Sequence, residues 1–105
     1  MNNIYTAEQV KTFETNIFVS KGDDLRAMQE AAKQSVKVLI KDYSEADYLV
    51  LCGPGNNGGD GYFIGLGLSE SNKCVKFINV LEDSKKSPLC EYAFKKVKNL
   101  EFVDL

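Results

Sequence analysis

The chain has 105 residues, 44% of them hydrophobic and 27% charged, and 13 Lys and Arg against 15 Asp and Glu leave a net charge of −2. That is the mix of one small globular domain, and without a basic stripe it argues against nucleic-acid binding through bulk charge. Histidine and tryptophan are both absent, which excludes His-ligated metal sites, Ser-His-Asp triads and imidazole bases within this chain. The first predicted element is a helix from Thr6, where Thr6-Ala7-Glu8-Gln9 has capping-box spacing and Val10, Phe13 and Ile17 follow at helical period. A break at Ser20-Lys21-Gly22-Asp23 leads to a second helix capped by Asp23 or Asp24. Its apolar stripe is Leu25, Met28, Ala32, Val36 and Leu39, while Arg26, Glu30, Lys33 and Lys37 face the other way.

From Tyr48 to Cys52 the chain is a short continuous apolar run, the pattern of a buried strand. It stops at Gly53-Pro54-Gly55, and a helix is expected from Asp60 through Ser69. Gly65 and Gly67 weaken that helix by about 1 kcal/mol each relative to Ala, a cost that points to close approach of helix and sheet. A second strand spans Lys73 to Leu81, with Val75, Phe77 and Asn79 on one face. Ser87-Pro88 opens a helix carrying Leu89, Ala93, Phe94 and Val97 that ends near Asn99, and Glu101 to Asp104 begins a third strand. Strands alternating with helices predict a parallel sheet with helices on both faces, preceded by two helices.

Cys52, Cys74 and Cys90 stand 22 and 16 positions apart, which fits buried thiols in a reducing compartment rather than a disulfide framework or a zinc site. The polar N-terminus lacks a signal-peptide pattern and no apolar run has the length of a membrane span, so a cytoplasmic protein is expected. Lys85-Lys86 and Lys95-Lys96-Lys98 read as solvated faces.

Five of the eight glycines lie between residues 53 and 61. A tight turn needs one or two; five in a strand-to-helix connection at the carboxyl end of a buried strand point to backbone that closely approaches a ligand. Gly53, Gly55 and Gly58 match GxGxxG, with Glu82 and Asp83 near the end of the next strand, so a dinucleotide-binding unit is the first candidate. Asp60 falls at or beside the expected helix start, where the dipole favours a carboxylate, as an N-cap or otherwise, but where a pyrophosphate would be repelled. Asn56, Asn57 and Asp60 offer hard oxygens suited to a hydroxyl-rich ligand or a hard cation.

Leu49-Val50-Leu51-Cys52-Gly53 followed by Gly55-Asn56-Asn57-Gly58-Gly59-Asp60-Gly61-Tyr62 resembles the signature of the NAD(P)H-hydrate epimerase family, or YjeF N-terminal domain. Phe13-Glu14, Leu25 and Met28-Gln29-Glu30-Ala31-Ala32 are similar to the family as well. The resemblance implies a Rossmann-like three-layer α/β/α domain, of which residues 1–105 would be a single incomplete copy. It implies epimerisation of hydrated NADH and NADPH, by acid–base assisted opening and re-addition at the nicotinamide carbon. Asn56, Asn57, Gly58, Gly59 and Asp60 would contact substrate, and Asn57 would also ligate a potassium ion.

The catalytic Asp of the family belongs to an Asp-Ala-Leu-Leu-Gly-type motif that this chain lacks; Asp104 lies one strand too early to replace it. A dehydratase domain, fused or separate, is the expected partner. The first strand, Tyr48 to Cys52, would then have a bare edge, and a homo-oligomer is expected. The alternatives are a non-catalytic scaffold of the kind this family resembles in messenger-RNA decapping and lipoprotein binding, or a simple dinucleotide-binding module.

Overall fold

The computed structural model describes residues 2–6 and 24–104. Its elements are β1 (Asn2–Thr6), α1 (Asp24–Asp42), β2 (Asp47–Cys52), α2 (Asn56–Glu70), β3 (Val75–Asn79) and α3 (Pro88–Val97). β1, β2 and β3 form a parallel sheet in that spatial order, with Ile4 opposite Leu49 and Val50 opposite Phe77. Beyond β3, Phe102 makes a parallel bridge to Phe77: Phe77 donates its N–H to Glu101 and Val103 donates to Phe77. The third strand expected from Glu101 is therefore present in its shortest form.

Strands laid side by side in chain order, joined by right-handed crossovers, place the intervening helices on one face. Accordingly α1 packs on α2 and α2 on α3, while α2 also covers β2 and β3. Thus the described helices form one layer, and the expected helix through Val10, Phe13 and Ile17 lies outside the described residues.

One expectation about the start of the chain is corrected. Thr6 ends a strand, so a strand precedes α1, while the helix expected to follow Thr6 lies outside the described residues. That strand lies along β2, so the edge expected to be bare is paired. Asn-Asn-Ile-Tyr-Thr has no sustained apolar alternation; its strand form comes from backbone pairing with β2, a tertiary cause that local pattern does not carry.

The remaining elements follow from their sequences. α1 buries Met28, Ala31, Ala32, Ser35, Val36 and Leu39, and Leu25 packs beside them. Fully burying each large apolar side chain contributes about 1.5–3 kcal/mol, far more than helix propensity does. At its end, the Tyr48 hydroxyl donates to the Tyr43 carbonyl at 2.7 Å, tying β2 to the loop after α1. Burial alternates along β2, with Tyr48, Val50 and Cys52 toward the helices. Val75 and Phe77 share that face, and the hydroxyl of fully buried Tyr62 bonds Oδ1 of Asn79. Tyr62, Phe77, Phe94 and Phe102 form one aromatic cluster, with Phe77 and Phe102 stacked at 5.1 Å and Tyr62 edge-on to Phe94 at 5.5 Å.

Candidate functional site

β2 ends at Cys52, and after only three intervening residues the chain is helical: α2 begins at Asn56 with Gly55 as its N-cap. The expected start at Asp60 is thus four residues late. Glycine's low helix propensity argues for a loop, but packing decides otherwise. A Cβ on Gly58 would stand 1.8 Å from the Gly53 carbonyl oxygen, and one on Gly59 would stand 3.1 Å from the Met28 sulfur. Only glycine lets the first turn of α2 lie so close to the end of β2 and to α1. Gly65 and Gly67 have the packing reason expected of them, since added Cβ atoms would meet the Phe77 ring at 2.3 Å and Val36 Cγ2 at 2.8 Å.

Gly53 and Gly55 differ from these. A Cβ on either would have no atom of the described residues within 4 Å, and neither has a left-handed φ. Nothing among the described residues requires glycine there. Each leaves space among them in front of the α2 N-terminus, where the N-cap Gly55 offers no side-chain bond.

The corner is held by α3. Ser87 donates its backbone N–H to the Pro54 carbonyl at 2.8 Å, and its hydroxyl lies 2.6 Å from Asn56 Oδ1. The same hydroxyl accepts the Cys90 N–H at 3.2 Å as the N-cap of α3, and the Cys90 thiol donates to the Gly53 carbonyl at 3.5 Å. The expected Ser-Pro helix start is therefore also the clamp of the glycine corner. Ser87 lies 31 positions from Asn56, so sequence spacing held no sign of it.

The five site residues separate into two groups. Asn56 and Asn57 are exposed at the start of α2, whereas Gly58, Gly59 and Asp60 are buried, Asp60 to 2% exposure. Asp60 is not the N-cap. It stands in the second turn, near enough to Cys90 to raise that thiol's pKa. The carboxylate expected to repel a pyrophosphate at the helix start is thus withdrawn from it.

Burial pushes the Cys90 thiol up to about 11, with Lys86 opposing and Glu91 and Asp60 adding to the rise. Burial also raises the Cys52 thiol, reinforced by Cys90. Both are inert structural thiols at neutral pH. Cys74 is exposed, contrary to the expectation of three buried thiols: it precedes β3 and its side chain lies outside the core. Tyr62 and Phe63 are core residues.

The sequence pattern of the family described as YjeF-related protein N-terminus matches residues 25–104. The chain belongs to this family. Its Rossmann-like character accords with the parallel sheet and with a glycine turn at the carboxyl end of a strand. The match begins at Leu25 and takes in β2, the corner, β3 and α3, so the family pattern coincides with the clamped unit. This YjeF-related chain is similar to an NAD(P)H-hydrate epimerase from Roseobacter litoralis, 37% identical over 70 residues, covering 61% of this chain. It spans 31% of the length of that curated relative. Among the described residues no helix is long and apolar enough to cross a membrane.

Among the described residues no three Cys, Asp or Glu side chains converge as a metal cluster. A hard divalent cation calls for several carboxylates. The exposed amide oxygen of Asn57 is a neutral hard donor, a type that fits a weakly charged cation such as potassium.

Proposed function

We propose that the corner Gly53–Gly55 and the first turn of α2 form the substrate-binding part of an NAD(P)H-hydrate epimerase. The observation that carries this reading is the space at Gly53 and Gly55, two glycines that the packing of the described residues does not need, in a chain of this family with Asn56-Asn57-Gly58-Gly59-Asp60 intact. Asn56 accepts from Ser87 through Oδ1, which leaves its amide N–H groups to donate to a ligand. Asn57, the next residue, is exposed as well. Gly58, Gly59 and Asp60 act from the buried side and set the shape of the turn that substrate meets.

Asn57 would hold the potassium ion, which when bound would supply a positive charge beside the substrate. The corner's own part is to fix the hydrated nicotinamide dinucleotide in one pose. The proton transfers of ring opening and re-addition are not assigned to any described residue. A dehydratase acting on the S epimer is the partner this reading implies, in the cytoplasm. Self-association no longer has the bare edge of β2 to support it.

The test is to incubate the 105-residue chain, and any longer product of its gene, with the R epimer of hydrated NADH and follow conversion by chromatography, with and without potassium. Conversion that Asn57→Ala makes independent of potassium is the expected result. Absence of conversion from every product would sink the enzyme reading and favour a non-catalytic binding domain. Conversion whose potassium dependence survives Asn57→Ala would remove Asn57 from the ion.

A further inference from the structure

A second opening lies outside the carboxyl ends of β3 and the Phe102 segment, where open α/β sheets bind their ligands. It encloses about 410 Å³, within the range of small-molecule sites. Ile78, Phe102 and Val103 make apolar walls, and Asn79, Glu82 and Asp104 bring polar groups to it. Asn79 and Glu82, with Leu81, also line the narrow cleft that runs to Gly53 and Pro54, so the opening and the glycine corner share a wall. Leu81 holds that wall in a left-handed backbone with φ 57°, fixed by the bond from the Ser84 N–H to its carbonyl.

The charge of the lining is one-sided. Among the described residues it contains two carboxylates and no Lys or Arg. Of the lysines close to it in sequence, Lys76, Lys85 and Lys86, none lines the opening; Lys86 lines the cleft instead and stands over the Phe94 ring at 4.5 Å. Apolar walls suit a planar base, and carboxylates accept hydrogen bonds from the vicinal hydroxyls of a ribose. A phosphate on that ribose would place a dianion between Glu82 and Asp104 with no Lys or Arg among the described lining residues to offset it.

We infer that this cavity takes the adenosine end of the dinucleotide and that Glu82, with Asp104, selects the form without a 2′-phosphate. The inference rests on the reading of the glycine corner as the site of the same substrate, and it adds a preference for hydrated NADH over hydrated NADPH. Glu82 is a specificity residue here, remote from the reacting nicotinamide.

Calorimetric titration of the 105-residue chain with ADP-ribose and with 2′-phospho-ADP-ribose tests it without any need for turnover. ADP-ribose is expected to bind at least about tenfold more tightly, since like charges across an interface weigh heavily against the wrong partner. Glu82→Gln keeps the shape, removes the charge and is expected to bring the two affinities within about threefold, with an unchanged thermal midpoint. Asp104→Asn is expected to act in the same direction. Equal affinities in the unaltered chain, no binding of either probe, or a ratio untouched by both substitutions would overturn the inference. Discrimination without epimerisation by any product would leave the cavity assignment standing and remove the enzyme reading. Epimerisation without discrimination would do the reverse.

Discussion

Glycines 53 and 55 and glycines 58, 59, 65 and 67 belong to one stretch of chain, yet they answer to opposite constraints. The later four are crowded, each with a neighbour that an added Cβ would strike or press. The first two face space among the described residues. A glycine-rich motif can therefore be a packing device along one part and a vacancy for a ligand along another, and only the surroundings of each Cα tell them apart. In this protein the division falls at Asn56, where the helix begins.

The sharpest way to break the distinction is Gly58→Ala. Its methyl would meet a backbone carbonyl at 1.8 Å that is already held by the Cys90 thiol, so the end of β2 must shift. A loss of about 3 kcal/mol or more in denaturant unfolding is expected, or failure to fold. Gly65→Ala meets a side chain rather than backbone, but Phe77 is fully buried and stacked on Phe102 and has little room to turn. Overpacking of about 1–3 kcal/mol is offset by about 1 kcal/mol of alanine's helix propensity, for a net loss of up to about 2 kcal/mol by the same measurement.

The buried thiols beneath the corner give a smaller effect, read by pH. Their pKa values are raised above the ordinary 9.0, Cys90 to about 11. In the unfolded chain the thiols ionise first, so their contribution is complete below pH 9 and is lost as pH rises toward 11. Stability should fall through that window, and Cys90→Ala should flatten the fall. At neutral pH a thiol reagent should modify Cys74 alone until the protein unfolds. The smallest stability effect belongs to Gly53→Ala, which is expected to stay within about 0.5 kcal/mol of the parent. If the corner holds substrate, that same variant loses ligand binding while its unfolding curve is unmoved. A variant that binds normally would return Gly53 to the bland role of a turn residue.

Most of the fold was legible where a periodic pattern coincides with burial. The stripe of Met28, Ala32, Val36 and Leu39, the run Tyr48 to Cys52, and the alternation of Val75, Phe77 and Asn79 each fell on the elements that form. What escaped has a tertiary cause. Asn2–Thr6 becomes a strand through β2, and Asn56–Gly59 becomes helix because Gly53, Met28 and Cys90 leave room for no other path. The corner could be located from its glycines, but not the residue that clamps it. Ser87 looked like an ordinary N-cap, and its second partner, Asn56, is adjacent only in space.

That clamp decides how the mouth can move. Gly53, Pro54 and Asn56 are each bonded to the first turn of α3, and α3 in turn buries Ala93 and Val97 in the core. The corner cannot swing as a flap on its own hinges; any opening must carry a ten-residue helix with it. Any ligand that the corner takes would meet a preformed ledge, and the motion available to it is a small tilt of α3 rather than the folding of a loop.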